Sequence, residues 1–182
     1  MRPLLLYLLL LPLAGCAAHM KVTGADGDRR FCLGVDCYQL GRLGPAWLLV
    51  QGQTSGMGYY NAALGSVIQT SATCREDLDA APLQSLTDHL LVGYTARTER
   101  SAQVAPLGDR EARRTVVDVK LDGVPMVLDL YVFKRNGCVF DLSYAAPPGD
   151  YARGLLDFER FVADFTPSRS AAKGASHPVS AR

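Results

Sequence analysis

The residues of this chain best suited to proton transfer are its three histidines. His19 and His177 lie near the two ends of the chain, whereas His89 directly follows Asp88 and lies four residues after Ser85. Adjacent residues on a helix point about 100° apart, so Ser85, Asp88 and His89 cannot form the hydrogen-bonded chain of a catalytic triad. We therefore predict no catalytic residue, and we interpret His89 as a partly buried or boundary residue of an amphipathic helix.

Two further motifs contain residue types that bind ions or cofactors in other proteins. Asp118, Asp122 and Asp129 lack the spacing of an EF-hand loop, and a hairpin at Asp122 would separate the other two, so we expect solvated carboxylates. The glycine-rich segment 52–58 lacks the Lys-Ser/Thr ending of a P-loop and the spacing of a dinucleotide fingerprint. We interpret it as a flexible hairpin loop, and we predict neither a metal site nor a cofactor.

The first cysteine lies where a covalent lipid would be attached. Leu13-Ala14-Gly15-Cys16 matches the bacterial lipobox and follows Arg2 and a leucine-rich run over residues 4–13. That run is shorter than the roughly 20 apolar residues needed to span a bilayer, and its length is typical of a signal peptide. We predict a signal peptide over residues 1–15 and lipidation at Cys16. The alternatives are an ordinary secretory signal with a chance cysteine, or an uncleaved anchor.

The other four cysteines are candidates for disulfides, because export places them in an oxidising compartment. Sequence alone allows three connectivities. We favour a local bond between Cys32 and Cys37 and a long-range bond between Cys74 and Cys138. A four-thiolate zinc site is disfavoured, since Cys74 and Cys138 each lack a closely spaced partner.

The composition excludes several classes of protein. The chain has 182 residues, of which 48% are hydrophobic and 20% charged, unlike a disordered, collagen-like or polytopic membrane protein. Lys and Arg number 19 against 18 Asp and Glu, a balance that argues against nucleic-acid binding by phosphate neutralisation. A small basic cluster comprises Arg110, Arg113 and Arg114. We interpret it as solvated charge, with a docking patch for an acidic partner or lipid headgroup as the alternative.

Hydrophobic periodicity predicts one sheet and two helices. The dipeptides Asp122-Gly123 and Asn136-Gly137 are typical of type I′ turns and divide the most apolar region into three antiparallel strands. Earlier strands are expected near residues 46–53, within 59–74 and near 97–104. Apolar residues recur at helical spacing over residues 82–92 and again after Asp150, which could cap the second helix, although Gly154 could delay its start.

The two even-length hairpins allow side chains to be assigned to faces of the sheet. One face collects aliphatic residues, namely Val117, Val119, Leu121, Val124, Met126, Leu128, Leu130 and Val132. The other face is largely aromatic, with Tyr131, Phe133, Phe140, Leu142 and Tyr144. Because both faces are apolar, each needs a cover, and we expect one helix on each. The predicted fold class is α+β, a mostly antiparallel sheet flanked by helices in an α/β/α sandwich.

The chain divides into four predicted segments. Residues 1–15 form the signal peptide, and residues 16–44 comprise the lipidated cysteine, a polar tether and a cysteine-clasped turn region. The sandwich domain covers residues 45–166. Residues 167–182, rich in Ser, Ala and Pro, are predicted to be a disordered tail.

The element order and the closing sequence resemble the PsbP-like α/β/α fold, which includes envelope lipoproteins of the DcrB type and the Mog type. The residues that carry this resemblance are Tyr144-Ala145-Ala146-Pro147, then Tyr151, Phe158 and the stretch 161–165. The sequence is also similar to uncharacterised lipoproteins of high-GC proteobacteria. Members of the fold bind proteins or act as accessory subunits and share no catalytic residues, so the resemblance implies a non-enzymatic role.

These observations together predict a membrane-anchored envelope lipoprotein whose domain binds or scaffolds another envelope protein. The alternative is a periplasmic protein that binds a small ligand or lipid, in a cleft between the rings of Tyr131, Phe133 and Tyr144 and the loop near Gly56. Ala17 rather than Asp follows the lipid cysteine, which favours the outer membrane, facing the periplasm. We expect no nucleic-acid partner and no enzymatic activity.

Overall fold

The computed structural model describes residues 21–23, 30–33, 36–50, 56–135 and 137–169. The main sheet has seven antiparallel strands in the order β4-β5-β6-β10-β9-β8-β7. Their bounds are β4 Leu48–Val50, β5 Gly56–Asn61, β6 Ser66–Cys74, β7 Thr95–Leu107, β8 Arg110–Leu121, β9 Val124–Arg135 and β10 Cys138–Ala146. The minor sheet has the order β1-β2-β3-β11. Its strands are β1 Lys21–Thr23, β2 Arg30–Leu33, β3 Asp36–Gln39 and β11 Thr166–Arg169.

Three helices complete the fold, α1 Glu76–Asp79, α2 Leu83–Leu90 and α3 Tyr151–Ala163. In the part of the chain that the structure describes, no helix combines the length and apolarity needed to cross a membrane. The signal peptide and Cys16 lie outside the described residues, so both remain predictions.

The two hairpins join β8 to β9 and β9 to β10, as the turn dipeptides predict. Asp122 and Gly123 have φ angles of 50° and 83°, the left-handed values that a type I′ turn requires. Gly137 also has a positive φ, and Asn136 lies outside the described residues. The resulting register sets Val117 opposite Leu128 and Phe133 opposite Phe140, so the predicted assignment of faces is confirmed.

Each face of the main sheet is covered by a different helix. The aromatic face packs under α3, where Phe158 and Phe161 are fully buried. The aliphatic face packs under α2, where Leu91 closes a core with Val117 and Leu130. We call these the α3 face and the α2 face. The predicted α+β fold class, an antiparallel sheet between helices, is confirmed.

The start of α3 differs from the prediction. Asp150 occupies the capping position but has helical φ and ψ angles and no side-chain cap bond, because its carboxylate pairs with Arg153. Gly154 does not delay the helix, which begins at Tyr151. Instead, a Cβ on Gly154 would lie 2.3 Å from the Tyr144 hydroxyl oxygen, so glycine is needed where the helix approaches the sheet. That hydroxyl donates a hydrogen bond to the Tyr151 carbonyl at 3.1 Å.

The domain extends beyond both predicted boundaries at 45 and 166. Strands β1, β2 and β3 occupy parts of the predicted tether and turn region, and β11 takes up the first residues of the predicted tail. Tyr38 is fully buried, with its ring stacked on Phe165 at 5.2 Å. Local composition missed these elements because β3 pairs with β11 from the other end of the chain. Residues 170–182 lie outside the described residues.

The structure contains the predicted disulfide between Cys74 and Cys138, which lie opposite each other on β6 and β10. Cys32 and Cys37 are also opposite each other, on β2 and β3. The side chains of Cys32 and Cys37 lie outside the described residues, so their bond stays a prediction.

Candidate functional site: the edge of the main sheet at β4 and the adjoining cavity

The residues first considered for catalysis do not assemble into a site. His89 is exposed on α2, rather than partly buried or at a boundary as predicted. The Asp88 carboxylate accepts hydrogen bonds from the Gln84 side-chain amide at 2.9 and 3.1 Å. The helical spacing of Gln84 and Asp88 accounts for this pairing.

The three aspartates considered for calcium are also apart. Asp118 pairs with Arg100 of β7, with contacts of 2.6 and 2.7 Å, and Asp122 lies in the hairpin turn. Among the described residues, no three potential metal-ligating side chains cluster. Asp129, however, is not a solvated carboxylate, as the sequence had suggested, because it is fully buried beneath α3.

Asp129 is the centre of a polar network that joins α3 to the main sheet. Its carboxylate accepts hydrogen bonds from Arg114 at 2.7 and 3.1 Å and from the Tyr151 hydroxyl at 2.9 Å. Arg114 also lies 5.2 Å from the centre of the Tyr131 ring and contacts Glu159 at 3.3 Å. Hydrogen bonding to Asp129 raises the pKa of Arg114, and burial raises the pKa of Tyr151. With both donors held in their protonated forms, the network fixes the position of α3.

The predicted basic cluster is divided by this arrangement. Successive residues of a strand point to opposite faces, so Arg114 turns inward toward Asp129 while Arg113 lies on the α2 face. The Arg113 Nε atom is buried and has no hydrogen-bond partner among the described residues. Arg110 is exposed. The three arginines therefore form neither a shared docking patch nor a uniformly solvated group.

The predicted ligand cleft beside the aromatic face is filled. The ring centres of Tyr131 and Tyr144 lie 5.9 and 5.5 Å from that of Phe158 on α3. Phe133 is 1% exposed and stacks on Phe140 at 5.1 Å. The α3 helix thus occupies the space that the sequence had assigned to a ligand. Of the adjacent loop, residues 51–55 lie outside the described residues.

A cavity lies instead at the β4 end of the domain, between segment 40–49 and Tyr59 of β5. Its volume is about 580 Å³. One wall is built by Trp47, whose indole Nε1 donates a hydrogen bond to the Asp157 carboxylate at 2.9 Å and whose ring is 6% exposed. This contact, across 110 positions of sequence, was not foreseen; the single tryptophan of the chain was the available signal.

The edge strand beside this cavity is apolar and uncharged. β4 has the sequence LLV, and Leu48 and Val50 are 62% and 52% exposed. Leu48 lies opposite Tyr60, which is 39% exposed, so the three side chains share one face. Gly58, opposite Val50, leaves a gap in this surface because it has no side chain. We call Leu48, Val50 and Tyr60 the β4 edge surface.

The opposite edge of the main sheet, β7, has features that discourage pairing with another chain. Its sequence TARTERSAQVAPL carries Arg97, Glu99 and Arg100 and is interrupted by Pro106. Two register shifts separate it from regular pairing with β8. Charges, proline and irregular register are the devices by which natural proteins protect edge strands. β4 has none of these.

Comparison with known proteins gives the fold but no family. No family model matches the chain, and no curated protein matches it. A crystal structure from Bacteroides thetaiotaomicron aligns at a TM-score of 0.54 and 15% identity, over 75% of this chain and 47% of that one. The chain thus spans about half the length of that protein.

Two solved structures match over nearly their whole length. LpqN of Mycobacterium tuberculosis, which is involved in cell envelope biogenesis, aligns at a TM-score of 0.52 and 16% identity over 82% of this chain and 92% of that one. PA94 of Pseudomonas aeruginosa, a protein of unknown function, aligns at 0.52 and 9% identity over 82% and 98%. Cyanobacterial PsbP and Mog1 also align, at TM-scores of 0.44 and 0.48. The chain therefore has the fold of LpqN and PA94.

Proposed function

We propose that this chain is a lipid-anchored protein of a bacterial cell envelope whose domain binds another protein, as a non-enzymatic accessory or scaffold module. The lipobox ending at Cys16 supports the anchor, and Ala17 supports the outer membrane with the domain in the periplasm. The likeness to LpqN, an envelope protein, is consistent with this compartment. The observation that carries the binding function is the β4 edge surface.

The occupant that best fits this edge is an extended, apolar segment of another envelope protein. An edge strand has unpaired N–H and C=O groups that a further strand can pair with, and alternate side chains then provide specificity. Leu48 and Val50 point to the same side as Tyr60 and would contact every second residue of the segment. Since β4 itself carries no charge, we expect the centre of the bound segment to be uncharged.

The two edges provide a matched test, because Val50 of β4 and Val104 of β7 are both exposed, at 52% and 65%. A photoreactive residue is placed at either position in cells, and the protein crosslinked at 50 is identified by mass spectrometry. A peptide covering its crosslinked segment is then titrated calorimetrically into wild type, Val50→Lys and Val104→Lys. We expect Val50→Lys to weaken binding about tenfold or more, because burial of a valine contributes about 1.5 kcal/mol or more. Equal affinity for the two lysine variants would contradict the proposal.

The anchor is tested independently. Labelled palmitate should be incorporated into the wild type and not into Cys16→Ala, because the thiol is the predicted site of acylation. Equal incorporation would show that the chain is exported without this anchor. Fractionation of the labelled envelope then locates the wild-type chain in the inner or the outer membrane.

A further inference from the structure

The cavity at segment 40–49 has the size and the lining of a small-molecule site. Its volume of about 580 Å³ lies within the roughly 300–1,000 Å³ typical of ligand pockets. Leu40, Leu43 and Leu49 contribute aliphatic lining, and Trp47 and Tyr59 contribute aromatic lining. A mostly apolar wall with few polar groups is what such pockets share.

The cavity wall is held in place by contacts that do not involve a ligand. A Cβ on Gly41 would lie 2.6 Å from the Cα of Phe161, so this segment sits directly against α3. The indole N–H of Trp47 is already donated to Asp157. The ring therefore offers a ligand its apolar surface while its polar group is satisfied elsewhere.

One charged side chain, Arg42, is found among the residues lining the cavity. It is exposed, so it lies where the cavity meets solvent. A guanidinium has five N–H donors in a planar fork, so it can bind a carboxylate or phosphate in addition to a contact within the protein. An apolar interior with a cationic rim matches a molecule that has a hydrocarbon chain and an anionic end.

We propose that this cavity binds a single-chain anionic amphiphile, with its hydrocarbon chain against Trp47 and its carboxylate or phosphate at Arg42. The proposal goes beyond the protein-binding function, because it concerns an interior site. It can also be tested separately, since Val50 of the β4 edge surface does not line the cavity and Gly44 lines it without belonging to β4. A free fatty acid and a lysophospholipid share the required chemistry.

The sole tryptophan of the chain provides a direct probe, because Trp47 lines the cavity. Full chain carrying Cys16→Ala, which lacks a competing covalent lipid, is titrated with fatty acids brominated at the end of the chain. Bromine quenches indole fluorescence at contact, so we expect saturable quenching. Kd should fall about fourfold for each added methylene until the cavity is filled, and then level off. Absence of quenching, or quenching that never saturates, would overturn the proposal.

Two variants locate the two ends of the ligand. Gly44→Phe adds a ring where no atom lies within 4 Å of the new Cβ, so the chain should fold, and we expect at least a tenfold loss of affinity as the cavity is narrowed. Arg42→Gln should weaken binding of the acid about tenfold and leave an alcohol of the same chain length unaffected. Unchanged binding to Gly44→Phe would exclude this cavity, and an equal loss for acid and alcohol in Arg42→Gln would exclude the anionic end.

The source of the ligand follows from competition. Displacement of the brominated acid by lysophosphatidylglycerol at lower concentration than by palmitate identifies a membrane lipid, and the reverse order identifies a free fatty acid. Failure of both to compete would overturn the proposal. Val50→Lys is the control, and it should bind the acid as wild type does, whether or not the β4 edge binds a protein.

Discussion

Each face of the main sheet buries one aspartate, and the two carboxylates differ in their surroundings. On the α3 face, Asp129 is fully buried and accepts hydrogen bonds from Arg114 and Tyr151. On the α2 face, Asp141 is 8% exposed and accepts a hydrogen bond from the Ser71 hydroxyl, a neutral partner. Burial raises the pKa of Asp141, and the bond from Ser71 only partly opposes this effect.

The difference shows how each helix is held on the sheet. The α3 helix supplies Tyr151 to a charged, directional network, so its position is fixed by hydrogen-bond geometry as well as by aromatic packing. The α2 face is closed by aliphatic contacts such as Leu91 on Val117 and Leu130. Apolar contacts tolerate small displacements, whereas a buried charge pair does not. The following predictions test this contrast, beginning with the largest effect.

The Cys74–Cys138 disulfide should contribute most to stability. Cys138 belongs to the core of the α3 face, and the two cysteines are 64 residues apart. Replacing both with serine should lower the free energy of unfolding by about 4 kcal/mol, as chain entropy predicts for a loop of this size. Urea denaturation under oxidising conditions measures the loss. The matched control replaces Cys32 and Cys37, whose loop is short, and a larger loss there would contradict this assignment of the main staple.

Removing the Asp129 carboxylate should have the next largest effect. Asp129→Ala leaves Arg114 and Tyr151 without their shared acceptor, and we expect a loss of about 3 kcal/mol on urea denaturation. Asp118→Ala removes a carboxylate on the same side of the sheet, but its pair with Arg100 is largely exposed, so the loss should stay below about 1 kcal/mol. Similar losses in the two variants would remove the distinction between a buried network and a surface ion pair.

Close approach of α3 to the sheet predicts an intermediate effect at Gly154. Gly154→Ala would bring a methyl group against the Tyr144 hydroxyl, and overpacking of this kind costs about 2 kcal/mol. Combining it with Tyr144→Phe should recover part of the loss, since the phenol oxygen is the nearest obstacle. Gly149→Ala, where a Cβ meets nothing within 4 Å, is the control. Thermal unfolding of the four chains would contradict the model if the double variant were no more stable than Gly154→Ala.

The smallest effect concerns the pH dependence of the α2 face. Because the folded chain raises the pKa of Asp141 above its ordinary value of 3.8, its contribution to stability is present in full below that value. This contribution is lost as the pH rises through the raised pKa. Asp141→Asn should therefore be more stable than wild type near pH 7, by about 1 kcal/mol, the order expected for relieving an incompletely paired buried charge. The advantage should vanish in acid, and urea denaturation across this pH range would contradict the prediction if the advantage were constant.

Much of the main sheet could be predicted from local patterns. Asp122-Gly123 required positive φ angles, so the hairpin and its register followed, and with them the side on which Phe133 and Leu128 lie. The same alternation contained an unused signal. Asp129 falls on the buried aromatic face between Val127 and Tyr131, where a carboxylate needs partners. Treating it as solvated was therefore a misinterpretation of a pattern that was available.

Other features depend on segments that are distant in sequence. Trp47 reaches Asp157, and β3 pairs with β11, through contacts between opposite ends of the domain. The cavity exists because segment 40–49 is pressed onto α3 at Gly41 yet stands away from β5 near Tyr59. No local periodicity encodes such a gap, so the sequence directed attention to a cleft beside Tyr131 that α3 in fact fills.

By itself, the sequence determined the turns, the two helices and the alternation of faces, because these depend on backbone preferences and on side-chain period within a few residues. It also supplied the lipobox at Cys16, which is a linear motif. The tertiary structure alone decided which donors satisfy Asp129, which edge of the sheet is left apolar, and where a cavity remains. Those outcomes depend on how separate elements pack against one another, since burial and pairing are properties of the assembled chain.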